Sequence, residues 1–308
     1  MSGTPLAGAA LLGGYAADLA FGDPRRWHPV AGFGALALAL ERAVYVPTRL
    51  RGAIFAAVLV AAPAIAAERL SSHGRFARSL VLAALTWAAL GGRSLTREAL
   101  GVSDLVAREE LEEARGALRS LCGRDASGLD GPELCRAAVE SVAENTGDAV
   151  VGALLWGAVA GPAGVAAYRA ANTLDAMVGH RSERYVEFGW AAAKLDDAMS
   201  WPAARLTAAL ACVAAPLVGG SPRVAAGTAL RDGPLHPSPN AGRVEAAFAG
   251  ALSLSLGGPL SYGGRVESRP RLGDGRAPGV EDVHRAVRLS LAVGAASALL
   301  CAIVRSAR

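Results

Sequence analysis

The chain has 308 residues, of which 52% are hydrophobic and only 19% are charged, and its mean hydropathy is positive at +0.32. This composition is too apolar for an ordinary soluble domain, in which about 25% of residues are charged. The net charge of +4 comes almost entirely from arginines scattered along the chain, which argues against nucleic-acid binding. The four cysteines have no Cys-x-x-Cys spacing, which argues against a zinc site or a disulfide framework.

Uncharged apolar runs predict an all-α, polytopic integral membrane protein. A helix needs about 20 mostly apolar residues to cross the hydrocarbon core. The run from Ala149 to Tyr168 has this length and contains no charge, so it is the best candidate span. Pro162 and the glycines at 157, 161 and 164 indicate that this run could instead bend back on itself. We predict roughly five to seven membrane-embedded helices, on the runs at 6–19, 54–67, 80–91, 149–168, 206–218, 246–256 and 289–304.

Two segments differ in character from these runs. The charged and periodic segment at about 93–140 predicts a solvent-facing, amphipathic helical insertion. Inside it, Asp130 followed three residues later by Glu133 predicts a helix start with a capping box. The stretch at about 257–279 is rich in glycine, proline and arginine, which is typical of an exposed loop. Residues 1–308 are predicted to form a single membrane domain.

Three carboxylates stand at successive spacings of four before the best apolar run, at Glu140, Glu144 and Asp148. On a helix they would share one face and repel by a few tenths of a kcal/mol per pair. A bound cation such as Mg²⁺, which prefers carboxylate oxygens, would offset this repulsion. The alternative is a solvated acidic face just outside the bilayer.

Asn172 and Asp175 follow the same run on its other side. Polar groups near membrane depth are costly, so each is a candidate for function. Arg181 and Arg184 come directly afterwards and suit an anionic substrate, because a guanidinium group matches phosphate and carboxylate geometry. The alternative for these arginines is a role in membrane orientation.

Lys194 is the single lysine of the chain and stands just before Asp196 and Asp197. Because the sequence otherwise uses arginine, this lysine indicates that a compact ammonium or a neutral amine is needed at this position. The alternative is a simple ion pair with Asp197.

Two outlying motifs carry the same chemistry on loops. A Gly-Asp-Pro turn near the start brings Asp23 and His28 together, and a proline-rigid loop near the end carries His236 and Asn240. Each motif alone is a weak signal, because a lone histidine is more often structural than functional.

Four segments resemble the adenosylcobinamide-phosphate synthases (CobD/CbiB) of cobalamin biosynthesis. They read GDPRRWHPV, ESVAENTGD, NTLDAMVGHRSERYVEFGWAAAKLDDAMSWPAARL and HPSPNAG, and the likeness runs from about Asp18 to Gly264. The resemblance implies a multi-pass protein of the inner cell membrane with its active site facing the cytoplasm. It also implies that adenosylcobyric acid is joined to aminopropanol, or to its phosphate, through an amide bond with ATP hydrolysis and Mg²⁺.

The resemblance and the residue chemistry together give a predicted site. Its predicted catalytic residues are Glu140, Glu144, Asp175, Lys194, Asp196 and Asp197. The residues predicted to bind substrate are Asp23, His28, Asn145, Asn172, Arg181, Arg184, His236 and Asn240. The residues predicted to hold Mg²⁺ are Glu144, Asp148, Asp175 and Asp196.

Two other functions remain open from the sequence. Buried acids and proline-broken helices also suit a membrane transporter for a corrinoid or another anionic solute. Paired aspartates on helices suit a prenyltransferase-like enzyme that binds Mg²⁺-diphosphate. The sequence contains no phosphate-binding loop of the common nucleotide-binding types, so the position of an ATP site is not predicted. The oligomeric state is also left open.

Overall fold

A computed structural model describes residues 5–23, 28–180, 182–262 and 265–307, and the described chain is almost entirely helical. The α-helices are α1 Pro5–Phe21, α2 Pro29–Val44, α3 Arg49–Leu70, α4 Arg75–Ala89, α5 Gly92–Ala107, α6 Leu111–Leu118, α7 Gly131–Asn145, α8 Gly152–Leu174, α9 Trp190–Ala214, α10 Pro222–Arg231, α11 Ala241–Leu252 and α12 Val280–Ala307. Two strands, β1 Leu256–Tyr262 and β2 Arg265–Leu272, form an antiparallel pair. Short π-helical turns lie at Thr146–Val151 and Asp175–Gly179.

The predicted all-α, polytopic class is confirmed. By length and composition, four described helical segments could cross a membrane, at Arg49–Leu70, Gly131–Gly179, Trp190–Val218 and Val280–Ala307, and a shorter apolar helix lies at Pro5–Phe21. The predicted runs at 80–91 and 246–256 fall on α4 and α11, which have 15 and 12 residues. Helices of these lengths extend only about 18–23 Å, against about 30 Å of hydrocarbon, so neither is long enough to cross it as a straight helix.

The chain divides into two compact units. The first unit comprises the described residues within 1–91, 148–203 and 297–308. Its core forms where α1 and α4 pack together and α8 packs against α3 and α4. Leu11, Leu82, Leu154 and Tyr168 are all buried in this core. The burial of an aromatic ring beside branched aliphatic side chains stabilises this packing.

The best predicted span, Ala149 to Tyr168, reverses its direction in the middle. Gly161 has φ 65° and ψ −147°, inside what is otherwise continuous helix, and Pro162 follows it. Gly152 lies directly against the ring of Tyr168, and Gly164 lies against the carbonyl oxygen of Trp156. Positions 16 residues apart on a straight helix would be about 24 Å apart, so α8 folds back as a helical hairpin.

The second unit comprises residues 92–147 and 204–296. The predicted capping box is confirmed: the Asp130 side chain accepts the N–H of Glu133 at 2.9 Å, and the Glu133 side chain accepts the N–H of Asp130 at 3.1 Å. Such a cap contributes about 1 kcal/mol to a helix. The helix it starts, α7, is buried along most of its length. The part of α7 that falls within the predicted solvent-facing insertion at about 93–140 is therefore largely buried.

The segment predicted as an exposed loop at 257–279 is largely the β1–β2 pair. Leu256 and Leu272 face each other in its register and are fully buried. Gly257 has φ +74° and lies against the carbonyl oxygen of Pro270, where a side chain would not fit. The glycines and prolines that resembled loop composition thus shape a bulged strand pair.

Candidate functional site

A buried polar network in the first unit joins α8 to α9. Asn172 donates through Nδ2 to Oδ1 of Asp196 at 3.3 Å, and Ser200 donates to the same oxygen at 3.4 Å. The hydroxyl groups of Ser200 and Tyr168 lie 3.2 Å apart. Arg169 donates through Nη1 to Oδ1 of Asn172 at 3.1 Å. We call these five residues the Asp196 network.

Further acids surround this network within the same unit. Asp175 lies close enough to Asp196 for the two carboxylates to repel each other. Asp148 and Asp23 lie within electrostatic reach of Arg169. The reversal of α8 explains how Asp148 comes near residues that lie more than 20 positions later. The structure thus brings together the predicted residues Asp148, Asn172, Asp175 and Asp196, and adds Tyr168, Arg169 and Ser200, which the sequence interpretation missed.

Three other predicted residues of the first unit lie in more ordinary contacts. His28 caps α2 by accepting the N–H of Val30 at 3.1 Å, and its Nε2 lies 3.8 Å from Asp23. Lys194 pairs with Asp197 at 3.4 Å, and the lysine side chain is 63% exposed. An exposed pair of this kind contributes at most about 1 kcal/mol to stability.

The structure describes only one of the two arginines that were predicted to bind an anionic substrate. Arg184 is paired with Glu41, from Nη2 to Oε1 at 2.7 Å, so its guanidinium group is already engaged by a carboxylate. Arg181 lies outside the described residues.

A second cluster, in the second unit, is centred on Glu140 of α7. One carboxylate oxygen pairs with Nη2 of Arg124 at 2.7 Å, and the other accepts the backbone N–H of Gly257 at 2.7 Å. Arg136 lies 3.9 Å from the latter oxygen. Glu140 is 3% exposed, so its charge is balanced by these partners and not by water. We call Arg124, Arg136 and Glu140, together with Glu245 and Arg269, the Glu140 cluster.

Glu245 in α11 belongs to the Glu140 cluster but was not predicted. Its residue is 4% exposed, on a helix of small apolar residues. Burial, and then the nearby carboxylates of Glu140 and Glu144, raise the pKa of Glu245 well above the ordinary value for a glutamate. No periodicity or motif in the sequence pointed to Glu245, because a single acid in an apolar helix looks like an exposed residue when only the sequence is known.

Glu144 and Asn145 follow Glu140 along α7. Glu144 is exposed and lies within electrostatic reach of Arg124 and Arg269. Asn145, predicted to bind substrate, donates through Nδ2 to the carbonyl oxygen of Ser141 at 3.0 Å. The helix changes to a π-helical turn at Thr146, so the spacing of four from Glu140 to Asp148 does not keep these acids on one regular helical face.

The loop that holds His236 and Asn240 is fixed by arginines. Arg269 donates through Nη1 to Nε2 of His236 at 3.3 Å, and Arg205 donates through Nη1 to Oδ1 of Asn240 at 2.7 Å. Arg205 also lies within electrostatic reach of Arg243. The surroundings of this loop are therefore rich in positive charge, which suits an anionic ligand.

The donor set of the described residues does not fit the predicted metal site. No group of three or more histidine, cysteine, aspartate or glutamate side chains in the described chain could hold a metal ion. Magnesium is often held by one or two carboxylates together with substrate phosphates. The acids of the Asp196 network could contact such an ion on a bound substrate, but the described chain alone provides no cage for a resident one.

The comparisons with known proteins agree with the motifs. A model of the CobD/Cbib protein family matches residues 11–290. The cobalamin biosynthesis protein CobD of Mycobacterium tuberculosis is 52% identical over 288 residues, which cover 93% of this chain and 92% of that protein. Proteins of the same name from Geobacter metallireducens and Rhodobacter capsulatus are 42% and 39% identical, over 88% and 85% of both chains. No solved structure matches the chain. The resemblance drawn from the four motifs is thus confirmed, and the chain belongs to the CobD/Cbib family.

Proposed function

We propose that this protein is a membrane enzyme of cobalamin biosynthesis that joins adenosylcobyric acid to aminopropanol, or to its phosphate, through an amide bond driven by ATP hydrolysis. Its family membership and helical membrane architecture support the general role. The Asp196 network is the observation that supports the proposed amide-forming chemistry. A hydrogen-bonded carboxylate between α8 and α9 is suited to bind and deprotonate an amine.

The first unit is suited to the amine substrate. Asp148 and Asp196 lie within electrostatic reach of Arg169, and Asp175 lies within electrostatic reach of Asp196. An ammonium group entering this region would be stabilised by interaction with these carboxylates. In the proposed reaction, the substrate carboxylate first takes the terminal phosphoryl group of ATP, and ADP is released. Asp196 accepts one proton from the ammonium group, and the neutral amine nitrogen then attacks the acyl carbon. The C–N bond forms, the bond from carbon to the phosphate oxygen breaks, and the released phosphate takes the second proton that the nitrogen loses.

The second unit is suited to the anionic substrates. Arg124, Arg136 and Arg269 lie around Glu140 and the buried Glu245, whose raised pKa keeps it in its neutral form more readily than an ordinary glutamate. Arg205 of α9 and Arg243 of α11 add positive charge beside the loop that holds His236 and Asn240. Guanidinium groups suit both the carboxylate of a corrinoid acid and the phosphates of ATP. Glu140 is a positioning residue in this scheme, because both of its oxygens are already engaged.

The test is incubation of the purified protein in detergent with adenosylcobyric acid, Mg-ATP and either aminopropanol or its phosphate, followed by mass spectrometry. We expect an amide product and hydrolysis of ATP. Complete absence of the amide with both amines would refute the proposal. Rapid uptake of a labelled corrinoid into proteoliposomes without ATP would favour the transporter alternative.

A substitution at Asp196 tests the assignment of the base. Asp196→Asn keeps the shape of the side chain and removes the group that accepts the proton. We expect amide formation to fall by at least about 100-fold, in the range for loss of a general base. Glu187→Gln is the matched control, because Glu187 lies in the same unit in an exposed pair with Arg49. Near-normal turnover of a folded Asp196→Asn protein would remove Asp196 from the catalytic residues.

A further inference from the structure

The segment at 182–189 lies in the chain between the two helical elements that carry Asp175 and Asp196. Asp175 begins the π-helical turn Asp175–Gly179 directly before this segment, and Asp196 lies in α9 directly after it. The position of the segment therefore affects how Asp175 and Asp196 face each other. The segment contacts residues of α2 and α3 that no sequence motif had indicated.

A buried glutamate of α2 is the main charged anchor of this segment. Glu41 is 1% exposed and accepts hydrogen bonds at Oε1 from Nη2 of Arg184 at 2.7 Å and from Nε at 3.2 Å. The guanidinium group of Arg184 also lies 4.0 Å from the ring centre of Tyr45. A buried carboxylate that loses its partner is strongly destabilising, so this geometry links α2 firmly to the segment.

Backbone and aromatic contacts fix the rest of the segment. The hydroxyl group of Tyr45 donates to the carbonyl oxygen of Arg184 at 2.7 Å. The ring of Phe188, which is 1% exposed, lies 5.2 Å from Tyr45 and 5.1 Å from Phe55. Gly52 of α3 lies directly against the carbonyl oxygen of Phe188, where a side chain would clash. The segment is thus held by polar and apolar contacts at several points.

We propose that Glu41 is a positioning residue which, through Arg184, holds the 182–189 segment so that Asp175 and Asp196 face the same bound substrate. This inference rests on the proposed function for its catalytic consequence. It assigns a role to Glu41, which the motifs left unassigned, and it replaces the predicted phosphate-binding role of Arg184 with a positioning one.

A charge-exchange cycle separates the two roles of Arg184. The variants are Glu41→Arg, Arg184→Glu and the double variant, with Glu41→Gln as the shape-preserving change and Glu187→Gln as the control on the same segment. For a positioning pair, we expect Glu41→Gln and Arg184→Glu to lower kcat by about ten-fold or more, while KM for ATP and for the corrinoid stays within about two-fold. We expect the double variant to recover most of the lost kcat, and Glu187→Gln to behave as the unmodified protein.

A phosphate-binding Arg184 gives a different pattern. In that case Arg184→Glu raises KM for an anionic substrate, Glu41→Gln stays near normal, and the double variant recovers nothing. That pattern would overturn the inference. The cycle also controls for misfolding, because recovery in the double variant requires that the single changes act through their mutual contact.

Hydrogen exchange tests the inference without any substrate. We expect amides of the 182–189 segment to exchange at least about ten-fold faster in Glu41→Gln than in the unmodified protein, while amides of α1 stay unchanged. Equal exchange in the segment would refute the positioning role even if the enzyme is active. If the unmodified protein makes no amide product but the exchange result holds, the proposed function fails and the positioning role of Glu41 stands.

Discussion

Glu245 shows how a single buried carboxyl group can make stability depend on pH. An ordinary glutamate has a pKa of about 4.3, and that of Glu245 is raised by burial and by its acidic neighbours. The folded protein therefore keeps this proton at pH values where the unfolded chain has lost it. The stability linked to this proton is fully present below pH 4.3 or so and is lost as the pH rises through the folded pKa.

We expect Glu245→Gln to remove this loss of stability at rising pH, because the glutamine amide does not titrate. At the acidic end the two proteins should differ by no more than about 1 kcal/mol, the typical net value of a hydrogen bond. As the pH rises from about 4.3 toward neutrality and above, the unfolding temperature of the unmodified protein should fall relative to that of the variant. Thermal unfolding in detergent at several pH values measures this difference. A gap that stays constant with pH would contradict the expectation.

At the scale of elements, the reversal inside α8 is the feature that brings Asp148 close to the Asp196 network. Without it, the apolar run Ala149 to Tyr168 would separate Asp148 from Arg169 by about 30 Å. Gly161 permits the reversal, since its φ of 65° is rarely adopted by residues with a side chain. Nη2 of Arg305 would also lie 2.8 Å from a side-chain carbon at this position.

We expect Gly161→Ala to destabilise the protein by about 1–3 kcal/mol, the usual cost of a strained backbone conformation. Gly13→Ala is the matched control, because Gly13 lies within α1 and an added carbon there has no neighbour within 4 Å. That control should be neutral or stabilising by up to about 1 kcal/mol. Thermal unfolding of both variants in the same detergent makes the comparison. Equal unfolding temperatures would show that Gly161 is not needed for the reversal.

At the scale of the whole molecule, local features were predictable and pairings were not. Length and composition alone predicted helices such as α3 and α12, and the order Asp130 to Glu133 predicted the start of α7. The hairpin β1–β2 was missed because its buried ends, Leu256 and Leu272, are paired only in three dimensions. An apolar run does not report how long its helix is, so the run at 246–256 was predicted as membrane-embedded although α11 has only 12 residues.

The candidate site shows the same contrast, because single residues were predictable from the sequence and their partners were not. Acids such as Asp196 stood out because charge beside apolar runs is costly, and that cost is visible in one sequence. Their partners did not stand out. Arg124 pairs with Glu140 across 16 residues, and Glu41 pairs with Arg184 across 143 residues. Such contacts are set by packing, which a single sequence does not display.

The folded-back α8 also determines on which side of the membrane its ends lie. A straight span would place the positions before residue 149 and after residue 174 on opposite faces of the bilayer. A hairpin returns them to one face, since the two arms of α8 on either side of Gly161 are only about 14 and 20 Å long and the hydrocarbon core is about 30 Å thick. Asp148 and the exposed Ala176 mark the two ends within the first unit.

We expect single cysteines placed by Asp148→Cys and Ala176→Cys to react with a membrane-impermeant maleimide from the same side of sealed, oriented vesicles. The background for both is a chain whose four native cysteines, which are all free thiols, have been replaced by serine or alanine. Vesicles opened with detergent provide the control for reactivity, because both positions should then react regardless of side. Labelling of the two cysteines from opposite sides would show that the run crosses the bilayer, and the acids on either side of it could then not lie in one network.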